Sequence, residues 1–341
     1  MKNKTISINI SFILILTFFS FNSTFAQTPP TPVQNFGTYP RAYVERKSFW
    51  TEFNLGGALT TDKRWQYQMD YQYRRASDAS FIQGGSHGNI FKEAQQQVFR
   101  PWIHYWVVPG TVRLSLSPIG YWITWTPTEE TSLYPNKDGV TTGQSVFPEF
   151  RICPQVTTIH TIGKAQFIQR YRYEFRFAGE RRAADNNISD FGKGYNFAST
   201  DIADQSASLG WFGHNHAGRL RIQTRFQMPL NGSKITEKTW YVNAWNELFI
   251  SNGRHIKNDK LLNQNRFVAM LGYRFKGEIP IKIESGITLQ TLFQYNIDVP
   301  PTNPNVTYQK SNVENNTAFT IYVICDEFHK LFKKKAEVQK Q

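Results

Sequence analysis

Four charged residues at every second position, Arg170, Arg172, Glu174 and Arg176, form the densest chemical pattern in this 341-residue chain. A planar guanidinium bonds a carboxylate through two parallel N–H donors and stays protonated at any ordinary pH, so such a row can either lock onto acids of its own chain or attract anions from outside. The same alternation recurs elsewhere. Glu149 and Arg151 stand two apart, Arg219 and Arg221 are followed by Arg225, and Glu247, Arg266, Arg274 and Glu284 fall at matching positions of later segments. Those thirteen residues are the candidate site: a charged network lining the interior of whatever holds the segments together.

Spacing by two is a β-strand signature, because successive side chains point to opposite faces. Opposite the charges lie Phe167, Tyr171, Tyr173, Phe175 and Phe177. From Arg64 to Arg74 the pattern is cleaner still: Trp65, Tyr67, Met69, Tyr71 and Tyr73 share one face, and Arg64, Gln66, Gln68, Asp70, Gln72 and Arg74 the other. A tilted strand of about 9–11 residues crosses a bilayer, with its greasy face to lipid and its polar face to a wet lumen. The expected fold is therefore all-β, a single transmembrane antiparallel β-barrel.

Ser48–Leu55, Gln95–Val107, Arg113–Trp125, Ser145–Thr157, Gly163–Phe177, Arg219–Leu230, Tyr241–Ile250, Asn265–Phe275, Ile281–Phe293 and Thr317–Asp326 supply the other strands. Bacterial single-chain barrels favour even numbers, so about 12 strands are expected. Val108-Pro109-Gly110-Thr111 and Asn231-Gly232-Ser233 read as tight turns, and the polar stretches Ser77–Glu93 and Ala178–Gly218 as longer loops.

The ends carry addressing signals. Lys2 and Lys4, an apolar run from Ile8 to Phe21 and small residues before Gln27 fit a secretory signal over residues 1–26. A Pro-rich leader over 27–47, a barrel over 48–326 and a basic tail over 327–341 complete the expected organisation, placing the protein in a bacterial outer membrane. The net charge of +13 would suit nucleic acid. Here, however, the arginines alternate with aromatics along strands, and export removes the chain from most nucleic acid. Expected partners are outer-membrane lipids and small anionic solutes. Two cysteines, Cys153 and Cys325, give no disulfide framework.

The combination Arg170-x-Arg172-x-Glu174-x-Arg176, Asn246-Glu247-Leu248-Phe249, Gln264-Asn265-Arg266 and Gly272-Tyr273-Arg274-Phe275 resembles the DUF2490 family of predicted outer-membrane β-barrels. The resemblance implies a barrel in the outer membrane and carries no activity. A barrel chain commonly stops on an aromatic at the end of its last strand; this one continues through His329 and Lys333-Lys334-Lys335.

Two readings of the interior follow: a packed network that braces the wall, or a narrow pore biased to anions by its arginines. A third reading is an outer-membrane enzyme acting on lipid or lipopolysaccharide, which would need an outward Ser–His pair at the lipid rim. His104, His160, Ser115, Ser117 and Ser208 are the available residues, without a serine motif around them. His214 and His216 share a face but supply only two metal ligands where catalytic zinc takes three. No cofactor motif is present.

Overall fold

The computed structural model describes residues 42–80, 84–126, 128, 143–178, 182–183, 216–252, 262–298 and 308–330. Its strands are β1 (Ala42–Ala58), β2 (Trp65–Ala76), β3 (Glu93–Val108), β4 (Val112–Thr126), β5 (Ser145–Ile162), β6 (Ala165–Ala178), β7 (Arg182–Ala183), β8 (His216–Pro229), β9 (Thr239–Asn252), β10 (Leu262–Arg274), β11 (Ile281–Asp298) and β12 (Tyr308–Cys325). Contacts divide the chain into Arg41–Tyr295 with Ser311–Gln341, which carries the barrel, and Met1–Pro40 with Asn296–Lys310. In the latter, the described residues are the end of β11 and the start of β12.

The strands form one sheet that closes on itself. Neighbours follow chain order from β1 to β6, then β8 to β12, and β12 returns to β1; β7 is a two-residue strip paired to β5 at Ser145 and Val146. The expectation of about twelve strands thus resolves into eleven wall strands and one short addition. An odd wall has a geometric consequence. Hairpins reverse direction at every step, so the first and last of eleven strands point the same way. β1 and β12 accordingly pair in parallel, from Ala42 opposite Asn312 to Leu55 opposite Cys325. Closure leaves no open edge among the eleven wall strands.

Most strands run beyond the segments that alternation alone marks out; β1 starts upstream of Ser48 and β12 well before Thr317. Pairing across the β1–β12 seam, which begins at Ala42 opposite Asn312, holds these ends extended even where the apolar-polar rhythm lapses. The opposite shift occurs at Gly163, expected inside a strand. It takes φ 59° in the two-residue turn between β5 and β6, where a left-handed residue matches the strand twist. Gly110 (φ 73°) and Gly232 (φ 85°) serve the turns expected of them.

Short connections (59–64, 109–111, 163–164, 230–238, 275–280) lie at one end of the barrel, together with the end of β12. The connections at the other end are longer for the most part, and β1 begins there. After Cys325 the chain turns across the short-turn end: the Phe328 N–H donates to the Gly56 carbonyl at 2.8 Å, and Lys282 pairs with Asp326 at 2.8 Å. The remainder of the basic tail lies outside the described residues, as do the signal and leader segments up to residue 41, His214 and Ser208. The side chain of His216 also falls outside them. No helix among the described residues is long and apolar enough to cross a membrane, which says nothing of a barrel.

Candidate functional site

Strand parity sorts most wall strands into two chemically opposite faces. Outward, Phe53, Ile103, Leu114, Phe167, Phe267, Leu271, Ile287, Leu289 and Phe319 are exposed. Inward lie acids and arginines, and three of the acids are sealed, Glu174, Glu247 and Glu284 being 0%, 1% and 1% exposed. A charge removed from water is tolerable only when paired and fully hydrogen-bonded, so the partners of these three acids decide what the interior is.

Glu174 on β6 is the central acceptor. Its Oε2 takes Nε (2.8 Å) and Nη2 (2.6 Å) of Arg219 and Nη1 of Arg151 (3.3 Å), and its Oε1 takes Nη1 of Arg221 (2.8 Å). Arg221 then reaches Glu247 through Nε (3.0 Å) and Nη2 (2.8 Å). Glu247 also accepts Arg170 at 2.6 Å and lies 3.8 Å from Arg266. At the other side Arg151 grips Glu149 with two bonds of 2.8 Å, and Arg176 adds a second fork at 2.5 and 3.0 Å. One continuous ionic chain therefore crosses β5, β6, β8, β9 and β10. Register makes this possible: Arg221 stands opposite Arg172, Glu174 opposite Arg219, and Arg266 opposite Glu247.

Glu284 forms a separate node, accepting the Tyr241 hydroxyl (3.0 Å), the Asn243 amide (2.8 Å) and Arg225 (3.4 Å). Tyr241 can lie so deep because Gly272 faces it; a Cβ there would stand 2.3 Å from the phenol ring. Two of the thirteen candidates meet no carboxylate in this network. Arg172 bonds the Gln155 amide oxygen at 2.8 Å with its guanidinium 4.6 Å from the Trp102 ring centroid. Arg274 donates to the Ile235 carbonyl at 3.2 Å near the short-turn end.

Reasoning from sequence missed a second acidic node. Asp70 on β2 accepts Nε (3.0 Å) and Nη2 (2.6 Å) of Arg100 and the Trp102 indole N–H (2.8 Å). Alternation places Asp70 on a polar face, but Arg100 sits where the β3 alternation is disrupted by Val98, Phe99 and Pro101. Counting parity back from His104 would have found it. Glu52, accepting from Gln72 at 2.6 Å, and Arg74, stacked 4.1 Å from the Trp50 centroid, also belong to the interior. Aromatics between the guanidiniums recur: Arg100 and Arg151 both approach Trp122, and Arg219, Arg221 and Arg266 approach Phe249. The negative ring faces dilute the positive charge that the carboxylates leave over.

His104 Nδ1 and Ser115 Oγ are 2.8 Å apart, yet both side chains point inward, away from the lipid rim that lipid chemistry would need. His104 Nε2 has no partner, so no acid orients the ring as a Ser–His relay requires. Cys153 and Cys325 are buried free thiols. Among the described residues no three His, Cys, Asp or Glu side chains converge as metal ligands would.

A family model described as "Protein of unknown function (DUF2490)" matches residues 47–298, and the chain belongs to that family. No curated protein and no solved structure matches it.

Proposed function

We propose that this DUF2490 barrel is embedded in the bacterial outer membrane and that its interior is a braced, narrow path for small anions. The observation that carries the reading is the opposition of the two wall faces: large apolar side chains exposed outward, charges sealed inward. An exposed apolar belt of this extent on a protein in water would drive aggregation, whereas lipid is its natural solvent. The Glu149–Glu174–Glu247 chain ties five strands together and resists collapse of the lumen. Arginines outnumber carboxylates on the inward face, and Arg172 and Arg74 are held by Gln155 and Gln72 in place of acids. That surplus favours anions over cations at a constriction. In this orientation the short turns face the periplasm and the long connections face outside.

Conductance of the refolded full chain in planar bilayers under a salt gradient tests the reading. Small anion-selective steps are expected, with the preference weakened in Arg172→Gln. Silence from protein shown to be inserted would overturn the path and leave the brace. Failure of the native protein to fractionate with outer membranes would overturn the location as well.

A further inference from the structure

A continuous row of polar side chains crosses the outward face of the wall. Gln169 on β6 stands opposite Thr224 on β8, and Thr224 stands opposite Asn246 on β9. The Asn246 amide N–H donates to Asn265 Oδ1 on β10 at 2.8 Å. Asn265 in turn stands opposite Thr291 on β11, whose hydroxyl donates to Asn315 Oδ1 on β12 at 3.0 Å. All six have the strand parity of outward residues such as Phe167, Phe267, Leu289 and Phe319. Thr224 is exposed and the other five are half-buried.

The row climbs as it crosses. Gln169 lies toward the short-turn end of β6, and Asn265 toward the opposite end of β10. Between them, Thr224 and Asn246 have apolar outward neighbours on both sides along their own strands: Ile222 and Phe226 on β8, Ala244 and Leu248 on β9. These two residues therefore sit inside the apolar belt. An amide that faces hydrocarbon carries its desolvation cost unless its donors and acceptors are paired. The Asn246–Asn265 bond uses one donor and one acceptor. Among the described residues Asn246 Oδ1 and Asn265 Nδ2 have no further partner, so an acceptor and a donor stand side by side on adjacent strands. One pair closer to the short turns, Ala244 stands opposite Ala269, with Phe226 and Ile287 on either side. Two methyl groups between larger side chains let another wall come close to the amides.

We propose that this face of β8, β9 and β10 pairs with a second copy of the chain about a two-fold axis along the membrane normal. An acceptor and a donor on neighbouring strands are self-complementary under such an axis. Asn246 Oδ1 accepts from the partner's Asn265, and the symmetry-related bond runs from Asn265 Nδ2 to the partner's Asn246. Lipid tails satisfy neither atom, and small residues beside bonding amides are what close association within a bilayer uses. The pairing rests on the outer-membrane reading, since in water the amides would be solvated, and is independent of the anion path.

Sedimentation equilibrium of the refolded full chain in density-matched detergent micelles tests it, folding being verified by heat-modified gel migration. A monomer–dimer equilibrium is expected. In the double variant Asn246→Leu, Asn265→Leu the dissociation constant should rise about tenfold, as the loss of two hydrogen bonds of ordinary strength within a bilayer would give. The sign is diagnostic, because leucine makes the face more apolar: association unchanged or strengthened in the folded double variant would overturn the proposal. Cys153 and Cys325 are buried, so a single introduced thiol reports the contact face. A short bis-maleimide should join Ala269→Cys to its counterpart and leave Ile103→Cys, on the opposite side of the barrel, unjoined. The reverse pattern would place the contact elsewhere and overturn the face. Monomeric wild-type protein, folded in micelles, would overturn the pairing and leave the membrane reading standing. Failure of the native protein to fractionate with outer membranes would overturn that reading and the pairing with it.

Discussion

Replacing Glu174 by Gln keeps the side-chain volume and removes the charge on which Arg151, Arg219 and Arg221 converge. The cost is not three broken pairs. Arg151 keeps its fork on Glu149, and Arg221 keeps Glu247. Arg219 directs both its bonds to Glu174 Oε2 and is left with the Phe249 ring 5.0 Å away. One buried pair broken from one side costs about 3–5 kcal/mol, because the remaining charge stays desolvated. That is roughly two to three and a half powers of ten in the unfolding equilibrium. Urea titration of the refolded barrel in lipid vesicles, followed by tryptophan fluorescence, measures it. Arg219→Gln combined with Glu174→Gln should recover a good part of the loss, since the orphaned charge is gone. A single variant within about 1 kcal/mol of wild type, or a double variant whose loss equals the sum of the two singles, would refute the argument that Glu174 holds a buried cation.

Gly272→Ala should displace Tyr241 from its seat and break its bond to Glu284, lowering stability by about 1–3 kcal/mol in the same titration. Tyr241→Phe should lose less, because the ring stays in place. In the loop between β2 and β3, burial would push the Asp78 carboxyl up, but the Lys92 bond and the Ser86 N–H outweigh it and hold it below the ordinary value of 3.8. A depressed folded-state value means stability that is present above the unfolded value and lost as pH falls through the folded one. Protease protection of this loop should therefore be flat from neutrality down to about pH 4 and fall below it. Asp78→Asn should give reduced protection at neutral pH, and a loop equally protected in both forms would remove Asp78 as its clasp.

Alternation carried most of the fold. Side-chain direction along a strand is set by backbone geometry, so Trp65 to Tyr73 and Phe167 to Phe177 declare their outward face from sequence alone. The same parity put Glu149, Arg170, Glu174, Arg221 and Glu247 on one side without any knowledge of neighbours. It failed at Arg100, where proline and bulky apolar residues interrupt the rhythm, and at Gly163, whose place in a turn depends on where its hairpin partner ends.

By itself, then, the chain determined strand identity, the two-faced wall and the family, because each is written in residue types at fixed local spacing. Tertiary structure alone decided which charges meet. Arg219 and Glu174 are brought opposite each other by the register of β6 and β8, which hydrogen bonds between distant segments select. It alone decided the eleven-strand closure and its parallel seam, because a sheet closes at the circumference its packed interior allows, and no single strand records that number.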